Sequence, residues 1–350
     1  MRRSLLDILV DPISKTPLQV EVHKYGAVDN IVEGVLNSIQ GRSYPITNGI
    51  PRFVLTQDSD QRQTAKSFAF QWQQRYAYDS PQVNQTRQQW MIERYGFKNL
   101  HNMQDFFSRR RRILDAGCGS GVSTSWMNQA WLGKGKAEWV GIDISTAIDV
   151  ALERLGFIEN TNFIQADILQ LPFKCQIFDT IIAEGVLHHT PSTELALKSL
   201  VSVLEPRGEI MFYVYRKKGP IREFTDDYIR NIVSSLDPDE AWAILRSLTK
   251  LGQALTELRK EIEVPEDIPY LNIKAGRYDV QRFIYWHFAK LFWNERFSFE
   301  ENNLENFDWY YPRYAHRHTR EEILGWCRMT GLSVTHFDSD SGFTVRAIKD

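Results

Sequence analysis

The 350-residue chain has little cysteine: Cys118, Cys175 and Cys327 stand far apart, with no C-x-x-C pair among them. That scarcity argues against a disulfide framework or a zinc knuckle, and the expected setting is a reducing cytoplasm. No charge of one sign dominates. With 42 basic and 44 acidic residues the formal net charge is −2, so the overall balance carries no footprint of a polyanionic partner such as nucleic acid. Long apolar runs are missing as well. The stretch "FIYWHFAKLFW" holds His287 and Lys290 and falls short of the roughly 20 apolar residues of a membrane span. The start, "MRRSLLDILVDP", has an apolar run shorter than the roughly 7–15 residues of an export signal. Internal repeats and low-complexity tracts are absent. What is present is 43% hydrophobic residues, enough for the core of one elaborated domain or two small ones.

Punctuation by Gly, Pro and Asn divides residues 1–56 into short strands, "PLQVEV", "IVEGVLNS", "SYPI" and "NGIPRFV", which predicts a small β-rich module. Residues 57–111 turn to Gln, Arg and aromatics and read as a helical lead-in. It ends in the run Arg109, Arg110, Arg111 and Arg112, read first as a solvated helix end and second as a phosphate-binding patch. From residue 112 strands and helices alternate: "RILDAG", "SGVSTSWMNQAWLG", "AEWVGIDI", "STAIDVALERLG", "TNFIQAD", "FDTIIAEGV", "STELALKSLVSVL" and "GEIMFYVYR". Apolar strands joined by helices predict an α/β fold, a parallel sheet covered on both faces. Residues 216–318 break the alternation with helices and a segment dense in aromatics. After a final helix, "TREEILGWCRMTG", the strands "LSVTHFDS" and "GFTVRAIK" form a tight hairpin that makes the sheet's last strand antiparallel.

The first strand of this run leads into "ILDAGCGSG", residues 113–121. A dinucleotide fingerprint, G-x-G-x-x-G, would need glycine where Val122 stands. The spacing is instead Asp115-x-Gly117-x-Gly119-x-Gly121. A carboxylate aimed at the ligand is poorly suited to a pyrophosphate and well suited to a cationic amino group, while the glycines let backbone approach it closely.

With its companions, this loop resembles the first motif of the class I S-adenosylmethionine-dependent methyltransferases, over residues 112–215 and 319–350. The companions are "GIDIS", "NFIQADILQLPF", "FDTIIAEGVLHHT" and "LEPRGEIMFYVY", the last with Arg207 in place of a glycine. The resemblance implies a Rossmann-like seven-stranded sheet with S-adenosylmethionine as cofactor. Its expected contacts are Asp115, Ala116, Gly117, Cys118 and Gly119 around the methionine portion, and Asp143 and Ile144 at the ribose. Asp167 and Ile168 fall at the adenine, with Glu184 and Gly185 bordering the cofactor. His188 and His189 follow at the mouth of the site, as a base, as acceptor-positioning groups, or as packing residues.

Methyl transfer from a sulfonium is an in-line displacement, so the acceptor must be aligned and, if a hydroxyl or amine, deprotonated. The fourth motif lacks the Asn/Asp-Pro-Pro-aromatic turn of base-amine methylators, which points to a small-molecule acceptor. Residues 216–318 are expected to form a lid, with Tyr310, Tyr314, His316 and His318 as candidate substrate contacts. The "DWYYPRYAHRHT" stretch is similar to bacterial methyltransferases of sugar or secondary-metabolite clusters. Residues 1–56 resemble a zinc-ribbon-like module sometimes fused to methyltransferases, but Asp11 and Ser14 replace the first pair of cysteines, and Ser38 with Arg42 or Ser43 stands near the second. No metal is therefore expected. Two alternatives stand beside the small-molecule reading: an rRNA or tRNA methyltransferase, and a non-catalytic partner that keeps the fold.

Overall fold

The computed structural model describes residues 1–27, 30–55, 58–128 and 136–350. It divides into two compact units: a sheet unit of Met1–Asp58, Gln88–Tyr215 and His316–Asp350, and a helical unit of Ser59–Arg87 and Arg216–Ala315. Residues 56 and 57, where the sequence places a boundary, and residues 129–133 of the helix expected after the glycine loop lie outside the described residues.

The sheet unit opens with β1 (Leu18–Tyr25), β2 (Ile31–Ser38), β3 (Ser43–Thr47) and β4 (Ile50–Pro51), an antiparallel sheet in sequence order. Its apolar residues Leu36, Tyr44, Ile46 and Phe53 share one core with Val140, Ile164 and Phe173, so these strands pack on the central sheet of the same unit. Phe53 donates its amide to Gln165 O at 2.7 Å, and Arg52 pairs with Asp149 at 2.6 Å. Where the zinc-ribbon resemblance would place cysteines, a likeness that no comparison supports, buried Asp11 accepts the amides of Ile13 and Ser14 at 2.8 and 2.9 Å and Arg42 Nε at 2.9 Å. Burial pushes the Asp11 carboxyl up, but Arg42 and these amides outweigh it and hold it well below the ordinary carboxylate range. Among the described residues no three His, Cys, Asp or Glu side chains converge as a metal site.

Three helices follow: α1 (Ser59–Gln73) in the helical unit, α2 (Pro81–Arg94), which runs from that unit into the sheet unit, and α3 (Leu100–Ser108), capped by Asn99. Then come β5 (Arg112–Ala116), α4 (Val122–Met127), β6 (Glu138–Asp143), α5 (Ala147–Leu155), β7 (Thr161–Gln165), β8 (Phe178–Glu184), α6 (Thr193–Val203) and β9 (Leu204–Val214). In β9, Arg207 sits at φ 62°, in the left-handed region that favours glycine. The helical unit adds α7 (Pro220–Val233), α8 (Pro238–Glu257), the exposed two-stranded β10 (Glu261–Val264) and β11 (Gly276–Asp279), then α9 (Val280–His287) and α10 (Phe299–Tyr310). The chain closes with α11 (Arg320–Met329), β12 (Leu332–Asp338) and β13 (Phe343–Lys349).

The central sheet has seven strands in the order β12-β13-β9-β8-β5-β6-β7. β9, β8, β5, β6 and β7 run parallel, and β13 is antiparallel to both β9 and β12, as the terminal hairpin predicts. One face packs Met91, Tyr95, Phe107 and Trp139; the other joins Ile181, Leu197 and Leu200 to the N-terminal strands. Because β5 lies between β6 and β8, chain direction across the sheet reverses beside it. The carboxyl ends of these strands flank the crevice where ligands of open α/β sheets bind.

No helix of the described residues is long and apolar enough to cross a membrane.

Candidate active site

The loop after β5 is shaped by backbone demands that only glycine meets comfortably. Gly117, Gly119 and Gly121 have φ of 78°, 54° and 74°. A Cβ on Gly117 would stand 2.3 Å from Val186 Cγ2, so the loop and the chain after β8 touch without room for a methyl group. The amides of Gly117 and Cys118 donate to Ile142 O at 2.8 and 2.9 Å, and Gly119 donates to Asp143 Oδ2 at 2.9 Å. The loop is thereby tied to the end of β6.

Asp115 and Asp143 are buried, at 2% and 8% exposure, and no lysine, arginine or histidine pairs with either among the described residues. Burial pushes the Asp115 carboxyl up to about 7, with Asp143 and Glu184 adding to the rise and a hydrogen bond from Thr124 Oγ1 opposing it. Burial raises Asp143 too, against the Ser145 hydroxyl and the amides of Ser145 and Gly119. A carboxylate offers about four lone-pair sites, and these three donors leave one on Oδ2. A ligand diol that chelates Asp143 must therefore displace the Ser145 hydroxyl from Oδ1. Two buried, uncompensated acids beside a glycine loop fit a ligand bearing positive charge.

Farther along the same edge, Asp167 follows β7 and caps a short 3-10 turn, accepting the Leu169 amide at 2.8 Å, with Ile168 buried behind it. Ile144 uses its carbonyl to accept Gln165 Nε2 at 3.0 Å. On the other side, Glu184 ends β8, where Arg94 and Tyr95 from the lead-in grip it. Arg94 Nη2 donates to Oε1, and the Tyr95 hydroxyl donates to Oε2 at 2.6 Å. The Arg94 guanidinium also lies 4.3 Å from the Tyr213 ring centre. Glu184 is thus neutralised, unlike Asp115 and Asp143. Gly185 beyond it has φ 71°, with nothing within 4 Å of where its Cβ would be.

His188 and His189 form a short 3-10 turn next, both buried, with ring centres 4.2 Å apart. The His188 ring lies 3.7 Å from that of Tyr215 at the end of β9. The returning chain binds here: His316 N donates to His188 O at 2.9 Å and His318 N to Tyr215 O at 3.0 Å. His318 Nε2 lies 2.9 Å from Thr193 Oγ1. The sheet unit therefore brings His188, His189, His316 and His318 together. Tyr310 and Tyr314 belong to the helical unit, where the buried Tyr310 hydroxyl donates to Asp226 Oδ1 at 2.9 Å and the Tyr314 amide donates to Thr64 Oγ1 at 3.1 Å.

The sequence reading missed Arg94, Tyr95, Thr124, Ser145, Tyr213 and Tyr215. Tyr213 and Tyr215 were detectable, since they end a strand adjacent to β8. Arg94 and Tyr95 were not, because 89 or more residues separate them from the carboxylate they hold. The run Arg109 to Arg112 proves internally paired, with Asp105, Glu209, Glu205 and Glu138 in turn.

Residues 108–252 match the family described as a methyltransferase domain. The chain is similar to an uncharacterised protein of Synechococcus sp., 40% identical over 117 residues that cover 31% of this chain and 27% of that protein. It is similar to the ubiquinone/menaquinone biosynthesis C-methyltransferase UbiE of Haemophilus ducreyi, 25% identical over 178 residues that cover 47% of this chain and 68% of that one. Among solved structures it resembles magnesium protoporphyrin IX methyltransferase of Synechocystis PCC 6803 with bound S-adenosylmethionine. That match has 14% identity and a TM-score of 0.43, over 85% of this chain and 100% of the other. The chain spans less than two thirds of the Synechococcus protein's own length.

Proposed function

We propose that this chain, whose residues 108–252 match a methyltransferase domain, is a class I S-adenosylmethionine-dependent methyltransferase that methylates an oxygen or nitrogen of a small-molecule acceptor of the sugar or secondary-metabolite kind. S-adenosylmethionine is the cofactor of this domain, and when bound it supplies an electrophilic methyl group on a sulfonium. The observation that carries the reading is the pair Asp115 and Asp143, buried with no cation of the described residues to answer them. In our reading Asp115 receives the cofactor's ammonium, Asp143 its ribose hydroxyls, Asp167 and Ile168 its adenine, and the glycine backbone at 117 and 119 its methionine portion.

The acceptor then lies over Gly185, where the chain leaves open space, with the rings of His188, His189 and Tyr215 beside it. His189 takes the acceptor's proton as the methyl bond forms, and His316 and His318 complete the rim. We assign buried Tyr310 to the packing of the helical unit rather than to the acceptor. That Arg109 to Arg112 are each matched by a carboxylate favours a small acceptor over RNA. The quinone-pathway relative gives a second reading, transfer to carbon, some weight.

The test is incubation of the full chain with methyl-labelled cofactor and, separately, a metabolite extract and total RNA. Label is expected in a small molecule, on oxygen or nitrogen; label in RNA alone overturns the acceptor class, and label on carbon overturns the acceptor atom. His189→Ala should lower turnover about 100-fold at unchanged cofactor affinity. Unchanged turnover removes His189 from the chemistry.

A further inference from the structure

At the amino-terminal edge of the central sheet, opposite the glycine loop, lies a groove of about 330 Å³ within the sheet unit. It is lined by Arg2, Arg111, Arg112 and Lys136 against only Asp7 and Glu138 as carboxylates. A protein of net charge −2 thus concentrates four cations and two anions in one depression. Nothing in the methyl-transfer reading uses it.

The cations are not equivalent. Arg111 and Arg112 have carboxylate partners, Glu205 and Glu138. Arg2 has none within ion-pair distance among the described residues: Nη2 donates to Ile158 O at 2.9 Å, and Nη1 is enclosed with no hydrogen-bond partner. Lys136, exposed at the rim, likewise has no carboxylate partner among the described residues. An enclosed guanidinium nitrogen without an acceptor is costly, and such groups ordinarily find a partner. The groove supplies further donors in the Asn160 and Asn162 amides and the Ser4 hydroxyl. Its volume equals the liquid share of about ten waters, more than one inorganic anion requires.

We propose that this groove binds a phosphate group, as the free anion or as the ester of a small organic molecule, with Arg2 and Lys136 as its principal donors. Guanidinium and ammonium together suit a dianion, Arg in fork geometry and Lys as a point charge. The site is distinct from the cofactor loop, which sits at the other ends of the same strands. It therefore stands whether or not the acceptor reading above holds.

Calorimetry of the full chain with inorganic phosphate, pyrophosphate and ribose 5-phosphate, at constant ionic strength, tests it. Saturable one-to-one binding is expected for at least one of them, undisturbed by S-adenosylhomocysteine. Lys136→Gln, at an exposed position that leaves folding alone, and Arg2→Gln, checked by its unfolding curve, should each weaken it at least tenfold. Tightest binding of ribose 5-phosphate assigns the groove to an ester, and tightest binding of phosphate or pyrophosphate to the free anion. No saturable binding of any of the three overturns the proposal, as does binding that both folded variants retain at full strength. Binding of an oligoribonucleotide with none of the three small anions overturns it too.

Discussion

Asp226 in the helical unit and Asp115 and Asp143 in the sheet unit are all buried acids, yet their surroundings differ in kind. Asp226 accepts Arg222 Nε at 2.7 Å, Trp309 Nε1 at 2.8 Å and the Tyr310 hydroxyl at 2.9 Å, and Arg222 is itself almost fully enclosed. The Arg222 and Asp226 charges answer each other within the unit. Asp115 and Asp143 are answered only by hydroxyls and amides, and burial raises both toward the neutral form. A buried acid paired with a cation holds a fold together; one left without a cation is a candidate ligand site. Glu184 lies between these cases, beside the same crevice but closed off by Arg94 and Tyr95.

The largest effect should come from breaking the satisfied network. Asp226→Ala leaves Arg222 buried without its carboxylate and removes an acceptor from Trp309 and Tyr310, at a cost of about 3–5 kcal/mol, read from denaturant unfolding. Asp143→Ala should cost the fold less, about 1–3 kcal/mol from the Gly119 and Ser145 donors it leaves unpaired, but should lower cofactor affinity about 100-fold by calorimetry. If both variants lost stability equally, the distinction between the two regions would be gone. Gly117→Ala and Gly185→Ala sharpen the point within the site. Both glycines have positive φ, but only at 117 would the new methyl group collide, with Val186. Gly185→Ala should cost about 1 kcal/mol of backbone strain with affinity retained, and Gly117→Ala should weaken cofactor binding at least tenfold.

A further test lies in pH. Because burial lifts the native Asp115 carboxyl to about 7, above its ordinary value of 3.8, the ligand-free protein holds its proton longer than the unfolded chain does. Its contribution to stability is therefore lost progressively as pH rises from about 4 to about 7. A cationic ligand favours the ionised acid, so binding releases a proton below pH 7. Cofactor affinity should climb by at most tenfold per pH unit up to about 7 and then level, and Asp115→Asn should flatten the climb. Titrations in buffers of different ionisation enthalpy count the proton directly.

The contrast also explains what was legible in the sequence. In the sheet unit, strands such as "RILDA" and "FDTIIAE" are apolar runs bounded by glycine and polar turns, and the terminal hairpin shows its own break. The candidate site acids stand at the carboxyl ends of those strands, so finding the strands finds Asp115, Asp143, Asp167 and Glu184. The helical unit resists the same reading because its buried faces are polar. On α7 the buried positions include Arg222, Asp226 and Arg230, while Phe224 and Tyr228 are exposed. On α10 the buried Asn302, Asn303 and Asn306 bond the backbone around residues 292–298 and Thr249. Hydrophobic periodicity cannot find a core built from hydrogen bonds. The β10–β11 pair escaped for a related reason, being four residues long on each side and almost wholly exposed. Arg94 and Tyr95 escaped because their importance lies in a contact with Glu184, to which no spacing points.

In our reading the crevice around Asp115 and Asp143 is built for a cationic nucleoside cofactor. Calorimetric titration of the full chain with S-adenosylmethionine tests it most directly. One-to-one binding, abolished or weakened about 100-fold in folded Asp143→Ala, is the predicted result. No binding by a parent chain whose unfolding curve shows it intact, or equal binding by the variant, would contradict it.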